Sequence, residues 1–365
     1  MENIKLKIFS ILIICFIVSC SDDTNEGFEF GENFDRNKMD TFFSTIEEQN
    51  LGMGSVAIFK NGQLDYQKSF GQADIENSIS ATSQTKYRVA SITKTFTASI
   101  IMQMIEENSL TLSTTLDTYF PELPNSNLIT IEHLLRHRSG LFNYTDTAYG
   151  TDIVTQPATK QQLIDLFIEN GTVFEPNEQT LYSNTNYVVL GFIIENIDQK
   201  SYSDAMRDRI TIPLGLTNTY NGGAINTSNN EALSYNPESN EWILATETNI
   251  TLVNGTGSIV SNPEDLNTFL QELFVGNVVS NNSLEQMKAD QPNSFGMGLI
   301  SLPFYEKTGF GGTGLLDGFQ SIFLYFPDDN VSISITLNGV STSMSRNDII
   351  VGALSIYSDL EYALP

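Results

Sequence analysis

Histidine and cysteine are nearly absent from this 365-residue chain, with 2 of each. Neither a His-rich metal cage nor a disulfide framework can be built from so few such side chains. Positive charge is scarce as well. Lys and Arg number 18 against 44 Asp and Glu, a formal charge of −26. A surface this acidic repels phosphate backbones, so nucleic acid is excluded as the expected partner. There is a single tryptophan, Trp242. What the chain does have is apolar residues, 40%, against 17% charged. That composition supports a sizeable core and excludes wholesale disorder, and the length exceeds the roughly 150 residues of an average domain.

Lys5 and Lys7 precede an apolar run from Ile8 to Val18, 11 residues long. A helix needs about 20 such residues to span a bilayer, so the run reads as a secretory signal rather than a membrane span. It ends in Ile17-Val18-Ser19-Cys20, followed by Ser21-Asp22-Asp23. This string resembles the lipobox of bacterial lipoproteins, and the acidic residues after it resemble surface-export signals of some Gram-negative lipoproteins. The resemblance implies a signal peptide over 1–19 and lipidation of Cys20. It further implies export across the inner membrane and a lipid anchor in the outer membrane, on the periplasmic face or the cell surface. Cys15 would leave with the signal, so Cys20 would have no cysteine left to pair with. Residues 20–33 are acidic and polar and read as a flexible tether; the folded domain is expected over 34–365, as a monomer.

Within that domain, Phe34, Met39, Phe42, Phe43 and Ile46 recur at helical spacing. Two short strands joined across Asn61-Gly62 form a hairpin signal. Residues 91–108 read as one helix with an apolar body. The middle, about 110–290, reads as helices near 130–138, 160–169, 186–198, 203–210 and 263–275, broken by Pro and Asn-Gly loops. Strands return at 319–326 and 331–337 around Pro327-Asp328-Asp329-Asn330, a turn by composition, and a last helix covers about 346–360. Strands at both ends and helices between them predict an α+β fold. One antiparallel sheet is built from N- and C-terminal segments and flanked by helices, with an all-helical subdomain inserted.

The chemistry-bearing residues begin with Ser91-Ile92-Thr93-Lys94 at a helix start. Positions i and i+3 share a helix face, so the Ser91 hydroxyl and the Lys94 amine can meet. A serine hydroxyl is a poor nucleophile until a base takes its proton, and a buried lysine of lowered pKa is such a base. The helix N-terminus adds a positive dipole where an oxyanion would form. A second copy, Ser83-Gln84-Thr85-Lys86, lies in a polar turn and reads as a chance match. Tyr182-Ser183-Asn184 is the one Tyr-x-Asn in the sequence and falls in a loop before a helix starting near Tyr187. A phenol beside a lysine can shuttle a proton to a leaving group, and an asparagine amide can bind a substrate carbonyl. His133 and His137, at i and i+4, read as structural residues of a helix, and no metal or other cofactor is expected. Trp242 lies in a loop-rich region, and a structural place rather than one lining the cleft is expected.

Several strings resemble those of the serine β-lactamase-like family, which includes class C β-lactamases, D-alanyl-D-alanine carboxypeptidases and related esterases. They are the run Tyr87 to Phe96, Leu116 to Pro121, Thr130 to Leu141, Tyr182 to Tyr187, Pro213 to Leu216, and Gly257 to Val260 with Asp265-Leu266. The resemblance covers about residues 40–340. It implies an antiparallel sheet flanked by helices, with the active site between sheet and helical subdomain. It implies Ser91 as the acylated nucleophile, Lys94 as its base, Tyr182 as proton relay and Asn184 as a substrate contact. The Ser91 N–H would be one oxyanion donor.

The family's third motif, usually Lys-Thr-Gly or His-x-Gly, is where this chain departs. Lys307-Thr308-Gly309 has the right composition, but counting back from Gly318-Phe319 gives Gly312-Thr313-Gly314. In that register, which is the one expected, Gly312 replaces the cation or imidazole. Thr313 and Gly314 then line the substrate site, and Leu315 gives the second oxyanion N–H. Loss of the cation weakens the case for a substrate carboxylate. The expected function is a serine hydrolase working through an acyl-enzyme on a small acyl or D-peptide substrate, amide or ester. The alternative is a non-catalytic, penicillin-binding-like cell-wall peptide binder or sensor.

Overall fold

The computed structural model describes residues 28–148, 152–239, 241–292 and 294–364. The expected signal peptide, Cys20 and residues 21–27 of the expected tether therefore lie outside the described residues, while Phe30, expected in the tether, is 1% exposed and packs on Phe326, so the fold begins before residue 34. Helix α1 (Arg36–Glu48) leads into the hairpin of β1 (Gly52–Lys60) and β2 (Gln63–Phe70). Its turn is Asn61-Gly62, with φ of +53° and +72°; both are left-handed values, which this residue pair tolerates and the twist of a tight hairpin requires. Two short strands, β3 (Gln72–Asp74) and β4 (Ile79–Ser80), pair with each other. Strand β5 (Tyr87–Arg88) then enters a 3₁₀ turn, Ala90–Ile92, that runs on into α2 (Thr93–Glu106).

The middle carries α3 (Ile131–Leu135), α4 (Thr145–Ala148), α5 (Lys160–Asn170), α6 (Asn184–Asp198), α7 (Tyr202–Met206) and α8 (Ile212–Leu214). It also carries β6 (Tyr220–Asn221), the hairpin of β7 (Tyr235–Glu238) and β8 (Glu241–Leu244), and β9 (Ile259–Ser261), before α9 (Pro263–Phe274) and α10 (Asn281–Met287). The insertion is thus mainly helical with short strands of its own. Its β6 and β9 join β5 in a three-stranded sheet ordered β5-β9-β6. The chain ends with β10 (Ile300–Phe304), β11 (Lys307–Leu316), β12 (Phe319–Phe326), β13 (Val331–Val340) and α11 (Arg346–Tyr357).

Six strands form the main sheet in the order β10-β11-β12-β13-β1-β2, with every neighbouring pair antiparallel. The N-terminal hairpin therefore completes a sheet begun by C-terminal strands. One face carries Ile58, Ile333, Ile335 and Leu337 and packs on α1 and α11 through Phe43, Ile349 and Leu354. On the opposite face Phe323 and Leu316 pack against α2 and the insertion through Phe96, Leu190 and Phe269.

Strand β13 is buried at all ten positions, yet it alternates apolar residues with Ser and Thr. Ser334 is satisfied from α9, where Asn267 accepts from Ser334 Oγ at 2.8 Å and donates to Ala57 O at 2.9 Å, whereas the buried Ser332 and Thr336 hydroxyls have no hydrogen-bond partner among the described residues.

Several boundaries differ from the sequence expectation, three of them near the site. The helix expected over 91–108 opens as a 3₁₀ turn and ends at Glu106. The helix expected over 130–138 stops at Leu135, because His137 adopts a left-handed φ of +56°; His133 and His137 therefore do not share a helix. The loop expected before Tyr187 ends early, since α6 begins at Asn184.

Helix α2 is anchored by Phe96, which stacks on Phe269 of α9 with ring centroids 3.8 Å apart and planes 12° apart. Both are fully buried. Phe96→Ala should lower the unfolding free energy by about 3–5 kcal/mol, read from urea denaturation; a loss under about 1 kcal/mol would mean that α2 is held elsewhere.

Candidate active site

Ser91 sits in the 3₁₀ turn between β5 and α2. Ala90, just before it, has φ of +51°, a left-handed conformation that costs a residue with a Cβ on the order of 1–2 kcal/mol. The surroundings hold the turn in this shape. Val89 N–H donates to Ile259 O at 3.0 Å, and Ser321 Oγ donates to Val89 O at 2.8 Å. Strand β11 closes on the turn at Gly314, where a Cβ would lie 2.2 Å from Val89 O. Only glycine allows that approach.

One turn along α2, Lys94 is 5% exposed. Its Nζ lies 3.0 Å from Ser91 Oγ, 2.8 Å from Asn184 Oδ1 and 2.9 Å from Thr256 O. Burial drives its pKa well below the ordinary lysine value. A neutral amine has two N–H bonds and one lone pair. Asn184 Oδ1 and Thr256 O take the two donors, which leaves the lone pair facing Ser91. Tyr182 OH stands on the other side of the serine, 2.7 Å from Ser91 Oγ and 3.3 Å from Asn184 Oδ1. The serine hydroxyl thus has a buried amine on one side and a phenol on the other.

Asn184 is fixed at both ends of its amide. Its Oδ1 accepts from Thr256 Oγ1 at 2.9 Å as well as from Lys94, and its Nδ2 donates to Thr145 Oγ1 at 3.1 Å. Its backbone N–H donates to Asn143 Oδ1 at 2.9 Å, capping α6 where Ser183 makes no side-chain cap. Besides the substrate contact expected of it, Asn184 therefore orients Lys94. Tyr182 is backed by His137, whose ring centroid lies 4.6 Å away and whose Nδ1 accepts from Ser183 N–H at 3.2 Å. Burial, with Lys94 nearby as the second cause, holds the His137 pKa down to about 3, so the imidazole is a neutral wall. His133 Nδ1 accepts from Thr130 N–H in a capping box at the start of α3. Among the described residues no group of His, Cys, Asp and Glu could hold a metal ion.

Gly312, Thr313, Gly314 and Leu315 lie in the half of β11 that faces the Ser91 turn. Gly312 pairs with Phe323 and Gly314 with Ser321. A Cβ on Gly312 would point at Thr95 Oγ1, 3.5 Å away, and meet the Phe323 ring at 2.9 Å. Leu315 is 59% exposed. Lys307 begins the same strand at its other end, five residues and about 17 Å from Gly312 at the rise of a β-strand. Its Nζ bonds Asp329 Oδ1 at 2.6 Å and covers the Phe28 and Phe30 rings. The second Ser-x-x-Lys does not assemble either: Lys86 Nζ donates to Asn229 O at 2.8 Å, and Ser83 is exposed. Trp242 packs over Gly339 and donates to Asn50 Oδ1 rather than joining the Ser91 network. Sequence reasoning missed Thr256, Asn143 and Thr145. The Thr256 contact to Lys94 runs through a main-chain carbonyl, which any residue type supplies.

Comparison with known proteins bears on this geometry. The family model described as Beta-lactamase matches residues 38–355. A penicillin-binding protein of Bacillus subtilis (strain 168) is 30% identical over 264 residues, 68% of this chain and 58% of that protein. The chain thus spans little more than half of that relative. A putative penicillin-binding protein of the same organism is 28% identical over 81% of this chain and 73% of its own length. Among solved structures, D-amino acid amidase from Ochrobactrum anthropi SV3, complexed with L-phenylalanine, superposes with a TM-score of 0.77. It is 25% identical and covers 88% of this chain and 98% of that one. The octameric penicillin-binding protein homologue from Pyrococcus abyssi, 24% identical, shares the fold with a TM-score of 0.77, covering 89% of this chain and 77% of its own.

Because the amine must be neutral to accept a proton, labelling of Ser91 by a fluorophosphonate should decline as pH falls through the lowered Lys94 pKa. Lys94→Arg, whose guanidinium stays charged, should slow labelling about 10²–10⁴-fold at every pH. An arginine variant that labels at the wild-type rate would remove Lys94 from the role of base.

Proposed function

The chain belongs to the beta-lactamase family, and from that premise we propose that it is a serine hydrolase that passes its substrate's acyl group through Ser91. The observation that carries the reading is the Ser91 hydroxyl set between a buried amine at 3.0 Å and a phenol at 2.7 Å. Ser91 Oγ attacks the substrate carbonyl carbon while Lys94 Nζ takes its proton. The oxyanion that forms is met by the backbone N–H groups of Ser91 and Leu315. As the carbon–leaving-group bond breaks, Tyr182 OH delivers a proton to the departing nitrogen or oxygen and is reprotonated from Lys94. Water then attacks the acyl-enzyme by the same route in reverse, which releases the acid and restores the serine hydroxyl. The unbroken chain from Thr256 through Lys94 and Ser91 to Tyr182 supports turnover over binding alone.

For substrate, the reading is a small neutral acyl ester or amide in preference to a β-lactam or a D-Ala-D-Ala peptide. Gly312 offers no cation to a substrate carboxylate. Lys307 is spent on Asp329, and Arg346 Nη1 donates to Gly314 O at 2.8 Å and Ser321 O at 3.1 Å. The net charge of −26 disfavours anionic substrates further. The penicillin and D-amino acid amide in the names of similar proteins mark the runner-up substrates. The same proposal keeps the domain on a lipid anchor at Cys20.

Mass spectrometry after fluorophosphonate treatment should find the adduct on Ser91, and Ser91→Ala should abolish it with an unchanged thermal midpoint. Labelling that persists in Ser91→Ala would sink the assignment. For substrate, kcat/KM should favour a neutral ester over its carboxylate-bearing counterpart, and Lys307→Ala should leave that ratio unaltered. A wild-type preference for the carboxylate that disappears in Lys307→Ala would reverse the choice of third motif.

A further inference from the structure

The two backbone donors proposed for the oxyanion hang from different sheets. Ser91 follows β5, which belongs to the three-stranded sheet with β9 and β6; Leu315 lies on β11 of the six-stranded sheet. Among the described residues no ladder of main-chain hydrogen bonds joins β5 to β11, so their spacing rests on the packing of Gly314 against Val89 O and on side chains that cross between the two sheets. Oxyanion donors work only at about 2.7–3.1 Å from the developing charge, and a site held loosely by about 1 Å loses that advantage.

One buried cluster spans the gap. Arg88, three residues before Ser91, has a side chain only 1% exposed; Asp317, two residues after Leu315, has one 4% exposed. Thr248 stands between them. Arg88 Nη1 donates to Thr248 O at 2.9 Å, while Thr248 N–H and Oγ1 donate to Asp317 Oδ2 and Oδ1 at 3.1 and 2.6 Å. Arg88 Nη1 faces Asp317 Oδ2 directly at 4.0 Å. The guanidinium is steadied further by Gly223 O at 2.7 Å and by an ion pair with Glu247. Asp317 itself holds a left-handed φ of +54° in the turn that ends β11, a conformation aspartate tolerates better than most residues.

We propose that Arg88, Thr248 and Asp317 are positioning residues that fix the distance between the Ser91 and Leu315 backbone N–H groups. The proposal rests on the serine hydrolase reading. The cluster touches no reacting atom. It ties the segment before the nucleophile to the turn after the second donor, through a threonine whose hydroxyl and main chain serve both sides. Loosening it should therefore weaken transition-state stabilisation and leave ground-state binding in place.

Thr248→Val preserves side-chain shape and removes the Oγ1 bond to Asp317; Asp317→Asn removes the charge facing Arg88. The test measures kcat and KM on a neutral ester, together with affinity for a phenylboronic acid. The tetrahedral adduct of that acid on Ser91 places an oxygen between the two donors. In both variants kcat should fall about tenfold with KM within about twofold, and boronate affinity should fall in parallel. A folded variant of either kind with kcat and boronate affinity within twofold of wild type would overturn the proposal. If Asp317→Asn fails to fold, Thr248→Val decides; if both fail, the cluster serves stability and the proposal is wrong. A wild-type protein that neither turns over ester nor labels with fluorophosphonate would instead remove the hydrolase reading itself.

Discussion

A lysine amine withdrawn from water is the constraint around which the site is arranged. Charged, the buried Lys94 would carry a desolvation penalty that no carboxylate among the described residues offsets; neutral, it needs only two acceptors. The Thr256 carbonyl and Asn184 Oδ1 supply those acceptors, and the remaining lone pair meets Ser91. Each acceptor makes a demand on a different part of the chain. Asn184 must begin α6, with Asn143 capping it and Thr145 holding the far end of its amide. Thr256 must hold a loop against α2, and Thr97 assists by donating to Gly255 O at 2.6 Å.

The same constraint explains the partition of the fold. Lysine and serine come from the segment between the two sheets, while tyrosine and asparagine come from the insertion. The main sheet contributes glycines that let β11 close on the strained Ala90 turn. Strain at Ala90 is tolerable because β9, β12 and β11 fix the turn through Val89 and Gly314. The site is thus a seam between two packed bodies. Its precision depends on contacts that cross the seam, among them the Phe96–Phe269 stack and the Arg88–Thr248–Asp317 cluster.

Much of this was legible in the sequence where local chemistry dictates structure. Asn61-Gly62 announced its hairpin because few other pairs accept two left-handed residues in succession. The α+β sheet closed by both termini followed from strand patterns at the two ends. Ser91, Lys94 and Tyr182 are legible as motifs at fixed spacing, and the structure brings Lys94 and Tyr182 each within hydrogen-bond reach of Ser91. The boundaries were less legible. Asn184 was read into a loop because its helix is capped by Asn143, 41 residues away, and no local cap announces the start. The helix through His133 was read too long because the left-handed residue that stops it is His137, not a glycine. Strands β3, β4 and β6 to β9 leave little trace in the sequence because each is four residues or shorter, and β6 and β9 are completed only by partners distant in the chain; β11 is hidden by its glycines, which carry no strand signal. The Thr256 carbonyl carries no sequence signal at all.

The protonation state of Lys94 is the most direct test. Lysine ¹³Cε resonances titrate with the ε-amine, and comparison with Lys94→Arg assigns the signal. The account predicts that the Lys94 resonance has the shift of a neutral amine at pH 7 and titrates well below the range of the other lysines. A Lys94 signal that titrates with the surface lysines, near the ordinary value of 10.5, would contradict the base assigned to Ser91 and the mechanism built on it.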